Sequence, residues 1–190
     1  MAKSRKKATQ KTAAKKTAKP KAQAKTKKRT AAKKKASAVP KGYYTATPYL
    51  MCRGADQAIA FYKKAFGAKE KTRMLGPDGK IMHAEITIGN SHIMLGEENV
   101  AMGMHSPQSL GGSPAGVMLY VPSVDKTFNA AVAAGAKVEM PVADQFWGDR
   151  YGKLTDPFGH SWSIATHIED LTPKQQDQRA QEFFKQFAQK

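Results

Sequence analysis

The sequence predicts an α+β protein in which one βαβββ unit is used twice, after a disordered basic tail and before a final helix. Three observations predict it. All of the net charge lies in the first fifth of the chain, one segment of the remainder recurs some 70 residues further on, and each copy sets a helix-periodic stretch before short alternating runs bounded by turn residues.

The tail comes first. Of the 32 Lys and Arg residues, 17 fall in residues 1–42, where no Asp or Glu occurs, so the other 148 residues carry 15 basic against 15 acidic side chains. The formal charge of +17 therefore belongs to the tail alone. The stretch Thr-Ala-Ala-Lys-Lys occurs at residues 12–16 and again at 30–34, in a run of Lys, Ala and Thr broken by Pro20 and Pro40. Like charges one helical turn apart repel, and no apolar stripe is present to dock a helix, so the segment is expected to be disordered alone. Phosphates remove that repulsion and release counterions, which makes DNA or RNA the expected partner. Lys6, Lys7, Lys15, Lys16, Lys27, Lys28, Arg29, Lys33, Lys34 and Lys35 are the candidate contacts. The tail has no aromatic residue for base stacking, so binding is expected to be independent of sequence. In composition it resembles the tails of linker histones and bacterial histone-like proteins.

The rest of the chain excludes several classes. Cys52 is the only cysteine, so no internal disulfide forms. No apolar run reaches the roughly 20 residues of a membrane span, and the basic start lacks the apolar stretch of a secretory signal. The expectation is a cytoplasmic, nucleoid-associated protein with no membrane partner.

The repeat gives the elements in order. Asp56 opens an apolar-periodic helix that ends on Gly67-Ala68-Lys69, and Asp125 opens another that ends on Gly135-Ala136-Lys137. Gly89 to Leu95 and Gly159 to Ile164 match in the same register. Each helix follows a short strand, at residues 49–53 and 117–121. Three strands succeed it: 69–75, 80–88 and 91–96 in the first half, and 137–142, 151–155 and 161–166 in the second. Turns are expected at residues 76–79, 89–90 and 156–159. A Gly/Ser/Pro-rich connection covers 105–115. Thr172 and Pro173 start a last amphipathic helix with Ala180, Phe183, Phe184 and Phe187 on one face. The domain layout is thus a tail at 1–42, a domain at 43–172 with units at about 47–98 and 116–167, and a helix at 173–190.

These residues carry a family resemblance. Thr47-Pro-Tyr-Leu50, Ala60-Phe-Tyr62 with Phe66-Gly-Ala68, His83-Ala-Glu-Ile86, Tyr151-Gly152, Asp156-Pro-Phe-Gly-His160 and Ala165-Thr-His167 resemble the vicinal oxygen chelate superfamily of glyoxalase I, bleomycin-resistance proteins and ring-cleaving dioxygenases, and its PhnB-like branch in particular. The resemblance implies a curved mixed sheet in each half, the two forming a cup for a small organic molecule or a metal, in a homodimer. Glyoxalase-like members hold their metal at positions that fall here on Thr47, Met94, Gly116 and Ser163. None supplies the N/O ligand a divalent cation needs, so neither a metal nor any other cofactor is expected.

Strand parity then lists the cup's contents. The apolar set Met82, Ala84, Ile86 and Ile88 is expected to pack on the helices, which turns His83 and Glu85 to the cup. Tyr49, Arg53, His92, Met118, Tyr120 and His167 join them by the same rule, with Trp147, Asp149 and Arg150 on a rim before Tyr151. Cys52 has the opposite parity and is expected to be buried. Three readings follow: a metal-independent binding module with Tyr49, Arg53, His92, Met118, Tyr120, Trp147, Arg150 and His167 as ligand contacts; an enzyme using His83 or Glu85 as general base; or a vestigial cup that supplies only a dimer.

Overall fold

The structure is a computed structural model that describes residues 37–187; the ten candidate nucleic-acid contacts lie outside the described residues. The first repeat runs β1 (Tyr49–Cys52), α1 (Ala55–Phe66), β2 (Lys69–Leu75), β3 (Ile81–Ile88) and β4 (Ser91–Glu97). A connection with a 3-10 turn at Val100–Met102 and a short helix α2 (Pro107–Leu110) leads to the second. That repeat has β5 (Gly116–Tyr120), α3 (Val124–Ala133), β6 (Lys137–Asp144), β7 (Asp149–Thr155) and β8 (Ser161–His167), and α4 (Pro173–Phe187) follows. The two βαβββ units expected from the repeat are therefore present.

Each unit makes one four-stranded mixed sheet, ordered β1-β4-β3-β2 and β5-β8-β7-β6. The first strand of each runs parallel to the last, and the other pairs are antiparallel. A crossover helix is what lets parallel strands pair, so α1 and α3 lie against the sheets. One face of each sheet is thereby buried on the helices and the other left open. On β8 the sequence alternates accordingly: Trp162 and Ile164 are fully buried, whereas Ser161 and Ser163 are partly exposed.

The helix ends follow local chemistry. Gly67 takes φ 65° and Gly135 φ 110°, a region that costs other residues free energy, so both stop their helices as expected. The starts differ from the expectation, because neither Asp56 nor Asp125 is the cap. Ser123 caps α3 by accepting from Lys126 N, and the Glu97 carboxylate accepts from Gly54 N and Ala55 N at 3.0 and 2.9 Å to cap α1. Both aspartates sit in the first turn, where the helix dipole favours a negative charge.

The halves are joined through buried polar groups as well as apolar ones. Asp156, in the turn between β7 and β8, is buried and accepts from Tyr62 Oη on α1 at 2.8 Å, from Trp162 Nε1 at 2.9 Å and from the amides of Phe158 and His160 at 2.9 Å each. Cys52, fully buried as expected, meets His160 Nε2 at 3.6 Å. Burial, reinforced by Asp156, pushes its thiol up to about 12, so it is an inert packing group. Phe66 and Trp162 pack across the same joint with ring centroids 4.6 Å apart and planes inclined by 46°.

Among the described residues no helix is long and apolar enough to cross a membrane.

Candidate functional site

The open faces carry two polar clusters, one on each sheet, and an apolar cleft between them. The pleat places His83 and Glu85 on the open side of β3, while Ala84, Ile86 and Ile88 are buried on the helices. Parity inverts at the strand's start: Ile81 is buried and Met82 is 53% exposed. The cause is a register shift in which Met74 pairs with His83 but Leu75 with Ile81, so Met82 is the extra residue of a bulge.

In the first cluster Glu85 is the hub. Its two oxygens accept from different directions, one from Tyr43 Oη and the other from His83 Nε2 at 3.2 Å. An ionised carboxylate only accepts, so His83 carries its proton on Nε2, and a neutral ring then receives Tyr49 Oη at Nδ1, 3.1 Å away. Tyr43 and, secondly, His83 hold the Glu85 carboxyl below its usual range, and Glu85 in turn raises the Tyr43 phenol. His92 lies beside them with its ring centroid 4.1 Å from that of Tyr43.

Tyr43 belongs to neither repeat. It comes from residues 38–47, which lie over this part of the sheet; Ala38, Val39, Pro40, Tyr43 and Thr47 bound a space of about 360 Å³ together with Glu85 and Met94. Sequence reasoning missed it, because strand parity says nothing about a segment before the first strand. The signal available was compositional: Tyr43 is the first aromatic residue after 42 without one.

The second cluster centres on Asp149, which is only 3% exposed. It accepts from Tyr120 Oη at 3.0 Å, Trp147 Nε1 at 3.2 Å and His167 Nδ1 at 2.7 Å. His167 also reaches Asp170 at 3.0 Å, and the two carboxylates, Asp149 first, raise its pKa. Trp147 stands edge-on to Tyr151, which shares a hydrogen bond with Ser163 at 2.8 Å. Tyr120, Trp147 and His167 thus meet on one buried carboxylate, that of Asp149, which the sequence placed only on the rim beside Trp147.

Two candidates go elsewhere. β7 starts at Asp149, two residues earlier than the spacing suggested, and this turns Arg150 to the helix side. There it binds Asp125 of α3 at 2.7 and 2.8 Å and Asp144 at 2.9 Å. Arg53 braces the connection, donating to Glu98 at 3.0 Å and to Ser109 at 2.8 Å.

The cleft lies where the edge strands β1 and β5 approach each other beneath the connection. It has a volume of about 530 Å³ and is lined by Tyr49, Met51, Leu110, Val117 and Met118 among others, with His105, Ser113, His160 and Ser161 as polar side chains. Tyr49 faces both the cleft and His83, so cleft and first cluster are contiguous.

The positions of the family's metal do not suit one. Met94 stands opposite Tyr49 and Ser163 opposite Met118 in the sheet registers, and Ser163 Oγ is engaged by Tyr151. A thioether and a hydroxyl, with Thr47 and the side-chain-free Gly116, are poor donors for a divalent ion. Among the described residues no group of three His, Cys, Asp or Glu side chains is placed to hold a metal.

Comparison with known proteins agrees with this architecture. The model of the Glyoxalase/Bleomycin resistance protein/Dioxygenase superfamily matches residues 44–164. The Mycobacterium bovis protein Mb0911c is 43% identical over 128 residues, covering 66% of this chain and 84% of that one. Among solved structures, TioX from Micromonospora sp. ML1 superposes with TM-score 0.52 at 25% identity, over 68% of this chain and all (100%) of its own. A putative 3-demethylubiquinone-9 3-methyltransferase, the PhnB protein of Bacillus cereus, shares the fold at TM-score 0.50 and 20% identity, over 65% and 99% of the two chains. With two βαβββ units, open sheet faces and a family match spanning both, the chain belongs to the glyoxalase/bleomycin resistance protein/dioxygenase superfamily.

Proposed function

We propose that the domain is a PhnB-like module that binds a small organic molecule on its open sheet faces without a metal, and that the basic tail holds the chain on nucleic acid. The observation that carries the first part is the cleft between the repeats. Its volume of about 530 Å³ falls within the range of small-molecule sites, and its wall is apolar with few polar groups. Met51, Val117 and Met118 supply that wall, and Tyr49 leads from it to His83 and Glu85.

Binding is favoured over turnover by the state of Glu85. A general base needs a free oxygen and a pKa near the working pH. Both Glu85 oxygens are engaged, and Tyr43 and His83 lower its pKa, which makes it a weak base.

The test uses the environment-sensitive dye anilinonaphthalene sulfonate. Full-length protein is expected to enhance and blue-shift its emission saturably, and Met118→Glu, which puts a charge on the cleft wall, is expected to abolish this without unfolding the domain. Saturable binding that ignores Met118→Glu would remove the cleft from the account.

The tail reading rests on charge: 17 basic residues and no acid before residue 43. If the chain is a homodimer, as the family resemblance supports, two tails would act together and raise avidity without any new contact.

A further inference from the structure

We propose that Tyr43 is a built-in occupant of the first cup and that the ligand received there is a phenol, bound by displacing Tyr43 from Glu85 and His92. The proposal rests on reading the cup as a ligand site and adds the chemical class.

The argument starts from what Tyr43 does. It contributes no residue to either sheet or its helix, yet its ring and hydroxyl are held as a ligand's would be. The hydroxyl donates to Glu85, and the ring lies on the His92 imidazole with centroids 4.1 Å apart and planes inclined by 32°. Met94 and Thr47 complete the surroundings. A site that accepts one phenol by an acceptor carboxylate and a stacking ring has the chemistry to accept another.

The segment that delivers Tyr43 is lightly attached. Residues 38–42 and 44–46 are exposed. Their own backbone bond is a single turn, Tyr43 N to Pro40 O at 3.1 Å, with Gly42 at φ 89°. Such a segment opens at low cost, since few buried contacts must be broken.

The closed arrangement also leaves an unmet group. His92 Nδ1 is shut off from solvent and has no hydrogen-bond partner among the described residues. A buried polar atom without a partner destabilises the state that contains it. Displacing Tyr43 uncovers the face of the His92 imidazole on which its ring lies, so a ligand ring can take the same place. A small phenol then takes the hydroxyl position on Glu85, and no covalent step is involved.

Competition makes the test sharp. If Tyr43 occupies the site about nine-tenths of the time, the apparent affinity for an external phenol is reduced about tenfold. Full-length protein and its Tyr43→Ala variant are titrated with p-cresol, the tyrosine side chain itself, followed by NMR line-broadening of the ligand; toluene, which lacks the hydroxyl, is the control. Tyr43→Ala is expected to bind p-cresol about tenfold more tightly than the wild type and to gain nothing for toluene, and adding Glu85→Gln is expected to reverse the gain. Equal affinity in wild type and Tyr43→Ala, absence of p-cresol binding to Tyr43→Ala, or an equal gain for toluene would each overturn the proposal. The dye titration of the cleft runs in parallel. Dye binding with no response to p-cresol defeats only the phenol assignment, whereas loss of dye binding in the wild type defeats the cup reading beneath it.

Discussion

Tyr62 of the first repeat donates its hydroxyl to Asp156 of the second across 2.8 Å, deep in the joint between the halves. Burial, then Asp156, raises the tyrosine pKa well above its ordinary value, so the phenol is protonated and a donor at neutral pH. Tyr62→Phe keeps the ring packing on Phe66 and Trp162 and removes only the bond. It is expected to destabilise the domain by about 1–3 kcal/mol, the cost of leaving a buried polar group short of a partner. Asp156→Ala, which strips partners from Tyr62, Trp162 and two amides, is expected to cost more. Denaturant unfolding checks both.

Gly152 on β7 marks a second point where the halves of one repeat meet without slack. A Cβ there would sit 2.7 Å from Phe128 Cε2 on α3 and 2.9 Å from Val142 Cγ2 on β6. Its neighbours are packed ring and methyl groups rather than a long side chain that can swing away. Gly152→Ala is therefore expected to destabilise by about 1–3 kcal/mol, as overpacked cores do, and thermal unfolding is the readout.

His167 gives a pH signature. Asp149 and then Asp170 raise its pKa above the unfolded value. A raised histidine contributes stability that is complete below its unfolded pKa and is lost as pH rises through the folded one. The denaturation midpoint of the wild type relative to His167→Gln should therefore fall as pH goes from about 6 to about 8. His160 pulls the other way, because burial lowers its pKa and its contribution fades toward acid. Taking the difference between wild type and His167→Gln cancels that background. A difference that grows with pH would contradict the assignment.

How far the sequence reached depended on whether chemistry was local. Gly67 and Gly135 stop their helices because positive φ is written into the residue type. His83 and Glu85 reach the open face because Ala84, Ile86 and Ile88 leave them no other side. Arg150 shows the limit of boundary placement: the strand begins at Asp149 and not at Tyr151, so Arg150 lies within it on the helix side and not on a rim. The bulge at Met82 is a sheet-level event, visible only once β2 is paired with β3. Asp149 reads in sequence as a loop acid, and only the meeting of Tyr120, Trp147 and His167 turns it into a hub.

The tail makes a separate prediction. Full-length protein is expected to bind duplex DNA with log K falling against log salt at about 0.9 per phosphate neutralised. A chain beginning at Gly42 is expected not to bind. Equal binding by both, or none by either at physiological salt, would sever the tail from nucleic acid.

The central claim is that a small molecule binds where the two repeats meet. Its most direct test is to titrate anilinonaphthalene sulfonate into isotope-labelled full-length protein and map the amide shifts. The account predicts saturable shifts concentrated on Tyr49, Met51, Leu110, Val117 and Met118, spreading through Tyr49 toward His83. Shifts confined to the outer surfaces of α1, α3 or α4, with those cleft residues unmoved, would contradict it.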